Sequence, residues 1–375
     1  MSSLMPFDWD ISLSYGNLRL LKSFLSQTKI PNTLKTIDPF LYFHALVKFL
    51  NIIATRLSMH MEKNKMFAKS QSGFRNHRMT CEQLLRISEE SHMAFKKQQT
   101  TAALFLDAEA AFDRCWHNGI KFKLKKNLDL PDRTIRLLSS FLTDRSLKVL
   151  YDGCLSHTVW LKAGTPQGSP LSPLIYIIFV NDYPDEIQKL CSLSQFADHT
   201  ALWSSAYTKQ YAIRKLQTAI NHLESWCRRW RVKMNGDKSH LMFIERIREK
   251  DDESFALHLF DDIIRPTQKA KFLGVEIDCA LSFKFHVDSI CKRANTRLSV
   301  LRILLRSGTD AATLMRLYKI YVRPIIEYGS VAYIAAPKSQ LTRLQNIENE
   351  AIRICLRLSK YIHKPAQTSF MTMLH

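Results

Sequence analysis

The residues best placed to do chemistry lie in Ser194–Trp203, which reads S-Q-F-A-D-H-T-A-L-W. An apolar approach, a tight polar tip at Ala197-Asp198-His199 and an apolar return predict a β-hairpin with a carboxylate at its bend. At a bend the side chain leaves the pleat with room around it, so a sheet can offer an acid to a metal ion. Ordinary turn chemistry also favours Asp there, and the residues alone leave both readings open. A second acid closes another apolar run, since Thr100–Leu106 (T-T-A-A-L-F-L) stops at Asp107. The run predicts a buried strand leading into A-E-A-A-F-D-R-C-W-H, which is helix-like. Asp107 is then either a site residue at a strand end or the N-cap of the next helix. Asp113 falls inside that expected helix and reads as a structural contact.

Two further stretches carry candidate groups. A-G-T-P-Q-G-S-P-L-S-P-L-I-Y-I-I-F-V, ending at Val180, holds Gln167 and Gly168 among prolines and predicts a rigid loop. Ser172-Pro173 is suited to starting a helix, and Leu174–Val180 is apolar all round, so that helix is buried. Such a loop either walls a small-molecule pocket or is simply turn chemistry. Q-S-G-F-R-N-H-R-M-T (Gln71–Thr80) lies in a basic run that includes Lys63, Lys69, Arg75, His77 and Arg78. A solvated surface is one reading of it. The other is a phosphate grip, since Arg can hold a phosphate bidentately.

The elements that must position these groups follow from periodicity and turn signals. Leu18–Leu25 and Phe40–Leu57 look helical, and Leu84, Leu85 and Ile87 mark an amphipathic helix. Pro131 opens another helix, with Ile135, Leu138 and Leu142 on one face. Asp152-Gly153 between Leu147–Tyr151 and Cys154–Trp160 is a hairpin signal. Leu216, Ile220, Leu223, Trp226, Cys227 and Trp230 recur at helical spacing. Asn235-Gly236 is a turn, Lys238 precedes a strand at His240–Ile244, and Lys271–Asp278 reads as a further strand. Three basic amphipathic helices follow, at roughly 284–306, 310–323 and 338–358. Their basic faces are either solvated or a track for phosphates.

The chain's 375 residues, 46% hydrophobic, allow two or three packed subdomains. Its net charge of +20 asks for a polyanion: nucleic acid first, an anionic membrane surface second. No apolar run approaches the ~20 residues of a membrane span. The opening M-S-S-L-M-P-F-D-W-D lacks a signal-peptide layout. Eight singly scattered cysteines predict reduced core residues of an intracellular protein, without disulfides.

Taken in order, L-F-L-D-A-E-A-A-F-D-R-C-W-H, A-G-T-P-Q-G-S-P-L-S-P-L-I-Y, Q-F-A-D-H-T-A-L, W-R-V-K-M-N-G-D-K-S and K-F-L-G-V-E-I-D-C-A-L-S-F resemble successive blocks of reverse transcriptases. The similarity is to those of jockey-like retrotransposons without long terminal repeats. It runs from about residue 50 to about 358, and Tyr318–Gly329 resembles the region after their polymerase core. The resemblance implies an α+β right-hand polymerase: an unmatched segment at 1–49, fingers at 50–99, a palm at 100–280, and a helical thumb and post-polymerase region at 281–375. It implies RNA-directed DNA polymerase activity with an RNA template, a DNA primer and dNTPs, no membrane partner, and nuclear action. Two divalent ions, Mg²⁺ or Mn²⁺, would be held by Asp107 and Asp198 on adjacent strands. By the same likeness Phe112 lies under the sugar and excludes a 2′-hydroxyl. Gln167 and Gly168 contact the incoming nucleotide, Lys238 sits near the pyrophosphate, and Arg75 and Arg78 lie near template or triphosphate.

Two departures bear on activity. The family hairpin reads F-A-D-D, whereas this chain has His199 in place of the second acid. Imidazole is a poor Mg²⁺ ligand, so a weakened polymerase is expected, with recruitment of a softer ion as the alternative. The family's first finger strands have no counterpart in residues 1–45, and no endonuclease region precedes the polymerase blocks. Together these suggest a truncated, decayed copy, with a catalytically dead nucleic-acid binder of the same fold as the rival reading.

Overall fold

A computed structural model describes residues 39–128, 130–152, 154–246 and 254–358. The expected helix at Leu18–Leu25 lies outside them. Helices α1 (Pro39–Lys63) and α2 (Thr80–Lys96) lead into strand β1 (Thr100–Asp107). Next come α3 (His117–Lys126), α4 (Asp132–Leu142) and four short strands, β2 (Arg145–Leu147), β3 (Leu150–Tyr151), β4 (Cys154–Leu155) and β5 (Val159–Leu161). Then α5 (Ser172–Phe179) and α6 (Asp185–Leu190) precede the hairpin β6 (Ser192–Phe196) and β7 (His199–Ala206). Helix α7 (Lys209–Trp230) and strand β8 (His240–Ile244) complete the central unit. Short strands β9 (Leu257–Leu259), β10 (Asp262–Ile264), β11 (Lys269–Phe272) and β12 (Val275–Asp278) follow. The described chain closes with α8 (Lys284–Arg306), α9 (Ala311–Leu317), a π-helical turn at Tyr318–Val322, α10 (Arg323–Glu327), α11 (Ser330–Tyr333) and α12 (Lys338–Cys355). The fold is α+β.

The two apolar cores lie against a four-stranded antiparallel sheet in the order β6-β7-β1-β8. β1 is apolar on both faces because both are covered, and its residues Thr101 to Leu106 are all buried. Leu104 and Leu106 face a core built with α5 and α7. Ala103 and Phe105 face a second core, with β11, β12, α8 and α12. The uniformly apolar α5 is buried along its length, as its sequence required.

Within the first core, Lys123 is a buried cation. Its Nζ pairs with Asp182, donates to the Phe179 carbonyl at 2.6 Å and sits 3.8 Å from the centre of the Trp230 ring. Burial pulls its amine down to about 8, against the pull of Asp182. Among the described residues no helix is long and apolar enough to cross a membrane. None of the eight cysteines is in a disulfide.

Two local expectations need correction. The stretch after Asp107 is turns rather than helix, and α3 begins only at His117. The Glu109 N–H donates to the Lys233 carbonyl, Ala110 takes a left-handed backbone, and the Phe112 and Cys115 carbonyls accept from Thr165 and Gly164. Those long-range partners replace the ladder a helix would have made. Lys271–Asp278 is part of a hairpin, β11–β12, not one strand. Leu273 and Gly274 both have positive φ, the geometry of a two-residue turn, and Tyr328 Oη donates to the Leu273 carbonyl at 2.7 Å.

Candidate active site

The two acids meet at one end of the central sheet. Asp107 is the last residue of β1, and the β1–β7 register sets it directly opposite His199. Asp198 occupies the β6–β7 turn one residue earlier. One ligand atom from each of Asp107, Asp198 and His199 lies within 4.8 Å of the other two. The N-cap reading of Asp107 is therefore removed, since no helix starts there. His199 Nδ1 is 3.1 Å from Asp107 Oδ1, but the contact lacks hydrogen-bond geometry. The buried Oδ1 is left without a hydrogen-bond donor among the described residues. A buried, unpaired carboxylate oxygen facing a second acid and an imidazole is suited to a divalent cation, so the donor set fits one.

The turn carrying Asp198 is braced from below. Ala197 has φ +57°, and its N–H donates to Gln71 Oε1 at 3.1 Å. The same oxygen accepts from the Gly73 N–H at 2.8 Å. Gln195 N–H donates to the Ser70 carbonyl, and the Ser72 N–H donates to the Gln195 carbonyl. Gln71 and Gln195 are almost wholly buried. Gly73 is required by space: a Cβ there would lie 2.3 Å from the Ala197 nitrogen. Q-S-G-F thus clamps the hairpin through its Gln and Gly. The sequence reading looked to its arginines and missed them. The available signal was a polar Gln-Ser-Gly ahead of the charged residues.

Lys238 reaches the acids, with Nζ 4.0 Å from Asp107 Oδ2 and its side chain exposed. Asn235 holds it there: its N–H donates to the Asp107 carbonyl, and its Oδ1 accepts from the Lys238 N–H. Phe112 stands on the turn after β1, against Tyr176 (ring centres 5.1 Å apart) and Phe74 (6.2 Å). Burial holds the Tyr176 phenol protonated far above its ordinary range, with Tyr183, Cys115 and Asp198 adding to it. Gln167 and Gly168 are exposed at the head of α5, and Gln167 Nε2 donates to Asp113 Oδ1 at 2.9 Å. A Cβ on Gly168 would touch nothing within 4 Å, so this backbone is open to a ligand.

The two arginines of the Gln71–Thr80 run part company. Arg75 is committed inside the protein: both arms reach Glu62 at 2.7 Å, and it also donates to the Ala68 and Gln71 carbonyls. Its side chain is 8% exposed, so it braces the Gln71 loop and offers little to a phosphate. Arg78 is exposed and pairs with Glu82.

The chain is similar in sequence to known proteins. The profile described as "Reverse transcriptase (RNA-dependent DNA polymerase)" matches residues 44–277. Among curated proteins, the probable RNA-directed DNA polymerase from transposon BS of Drosophila melanogaster is 32% identical, over 83% of this chain and 35% of that protein. The RNA-directed DNA polymerase from mobile element jockey of the same species is 29% identical, over 87% of this chain and 36% of that protein. The chain thus spans about a third of these relatives' length. Among solved structures, Candida albicans telomerase in complex with a fragment of telomeric RNA gives a TM-score of 0.48 at 13% identity, covering 82% of this chain and 56% of that one.

Proposed function

Because the chain belongs to the reverse transcriptase (RNA-dependent DNA polymerase) family of nucleotidyltransferases, we propose that it is the polymerase domain of a non-long-terminal-repeat retroelement. It would extend a DNA primer with dNTPs on an RNA template, in a right-hand architecture. Residues 50–99 would form the fingers, 100–280 the palm and the helices from 281 the thumb. The observation that carries this reading is the convergence of Asp107 and Asp198 at one sheet end.

Asp107 and Asp198 would hold two divalent ions, Mg²⁺ or Mn²⁺. Bound there, such ions lower the pKa of the attacking primer hydroxyl and neutralise the triphosphate. The protein's own groups do the rest. The ammonium of Lys238 faces the leaving side and balances phosphate charge. Phe112, propped by Tyr176, closes the space a ribose 2′-hydroxyl needs. Gln167 and the open backbone at Gly168 position the nucleotide. Arg78, exposed beside Glu82, is a fingers cation that can meet a phosphate.

His199 weakens this centre by removing one negative charge where cations gather. Losing even an indirect partner of a metal ligand costs ~10–100-fold, so a lost acid beside the metals costs at least that. Primer extension on an RNA template with Mg²⁺ or Mn²⁺ tests the proposal. His199→Asp is expected to raise incorporation by that factor or more, and an unchanged rate removes His199 as the cause.

The same substitution supports a second reading, a nucleic-acid binder that kept the fold and the charge. Salt-dependent RNA binding with no incorporation, even in His199→Asp, selects it.

A further inference from the structure

The family blocks place two adjacent acids at the hairpin tip, and this chain places an acid and an imidazole. The substitution changes which ion the site prefers as well as how strongly it binds. Mg²⁺ gives up its water reluctantly and depends on carboxylate charge to hold it. Here that charge is cut twice, by the imidazole of His199 standing where a second carboxylate would be and by the Lys238 ammonium 4.0 Å from Asp107 Oδ2. Imidazole nitrogen instead suits the borderline transition ions, which also accept carboxylate oxygens.

The geometry is as favourable to such an ion as the chemistry. Asp107, Asp198 and His199 each offer one donor within 4.8 Å of the others, enough for three protein ligands on one centre with positions left for water. Asp107 Oδ1 is buried without a hydrogen bond, so binding breaks no hydrogen bond of that oxygen. The His199 ring is 49% exposed, and its contact with Asp107 is not a hydrogen bond, so it can turn a nitrogen toward a shared ion. The backbones of Asp107 and His199 are fixed by the β1–β7 ladder, and Asp198 by the braced Ala197.

We infer that Asp107, Asp198 and His199 form a single site selective for a borderline transition ion of the Zn²⁺ or Co²⁺ class over Mg²⁺. The inference rests on the polymerase reading only for the comparison of this site with its all-acid form. Occupation of this kind would leave the fold intact and compete with the pair of hard ions that nucleotide transfer requires.

The test is direct binding to the metal-stripped full chain. Titration calorimetry with Zn²⁺ and, separately, Mg²⁺ is run on the unaltered protein, on His199→Asp and on Asp107→Asn/Asp198→Asn. One Zn²⁺ per chain is expected to disappear in the double variant, which separates this site from the other histidines and the cysteines. The ratio of Zn²⁺ to Mg²⁺ affinity is expected to fall by ~10-fold or more in His199→Asp. Needing no variant, selective paramagnetic broadening of the His199 ring signals by Co²⁺ is expected at one equivalent. An unchanged affinity ratio, a Zn²⁺ stoichiometry that is the same in the double variant, or undisturbed His199 signals would overturn the inference. Should His199→Asp gain Mg²⁺-dependent incorporation with that ratio unchanged, the polymerase reading stands and the selectivity falls. A shifted ratio without incorporation means the reverse.

Discussion

Gly73 and Ala197 touch backbone to backbone, and no other residue type fits at the first position. A methyl group on Gly73 would come 2.3 Å from the Ala197 nitrogen and 2.9 Å from the Phe196 carbonyl carbon. The Gln71 loop must therefore move, or the turn presenting Asp198 must. Gly73→Ala is expected to cost ~1–3 kcal/mol, the usual range for overpacking. It should also lower binding at the Asp107–Asp198 centre, because the brace and the turn share Gln71. Thermal unfolding and metal titration of the same variant check both halves.

Arg75 offers a contrast between charge and shape. Arg75→Lys keeps the positive charge but gives up the two-armed hold on Glu62 and the carbonyl contacts. A loss of ~1–3 kcal/mol is expected, since hydrogen bonds to charged groups are worth about that much. Arg78→Gln should leave stability within ~0.5 kcal/mol, as exposed pairs contribute little. It should also reduce the salt dependence of RNA binding, by about one unit of slope if Arg78 meets one phosphate. Denaturant titration and binding at several ionic strengths distinguish the two arginines.

His286 predicts a dependence of stability on acid. The ring is 4% exposed and accepts from the Glu276 N–H, and its other nitrogen has no partner among the described residues. Burial, then Arg293 and Lys271, push it down from 6.5 to about 4. Between those values the unfolded chain takes up a proton that the folded one refuses, so stability falls as pH drops from 6.5 to 4. The loss is at most about 3 kcal/mol, at ~1.4 per unit. Chemical unfolding at pH 7 and pH 5 measures it, and His286→Leu is expected to flatten that slope.

Phe112 is expected to set sugar selectivity wherever incorporation is measurable. In the His199→Asp background, Phe112→Val removes the ring propped by Tyr176 and opens the space beside the sugar. Ribonucleotide use relative to deoxyribonucleotide use should rise by ~10-fold or more, as one side chain's worth of discrimination allows. Paired incorporation assays with each substrate read this out.

What the sequence disclosed was whatever depends on short periods. The apolar run before Asp107, the hairpin around Asp198 and the buried helix after Ser172 follow from alternation, turn residues and uniform hydrophobicity. They appear where expected. What it concealed depends on partners far along the chain. A-E-A-A-F-D-R has every local property of a helix, yet its backbone is taken by Lys233 and by Gly164–Thr165. Arg75 looks like a phosphate ligand until Glu62 lies against it. Gln71 and Gly73 have no charge or periodicity to announce them, because their importance comes from the chain that approaches them. Leu273-Gly274 was legible in principle, since a glycine after a strand-like run is a turn signal, but the apolar letters around it masked the break.

The pairing of Asp107 with His199 at the open end of a long ladder has an evolutionary corollary. The aspartate and histidine codon families differ at one base, and the position they would exchange is solvent-facing and outside both apolar cores. A point change there alters the charge beside Asp107 and Asp198 while leaving both cores as they are, so shape and chemistry are inherited separately. Quality control that surveys unfolding would pass such a molecule, and one further base change would set an aspartate there.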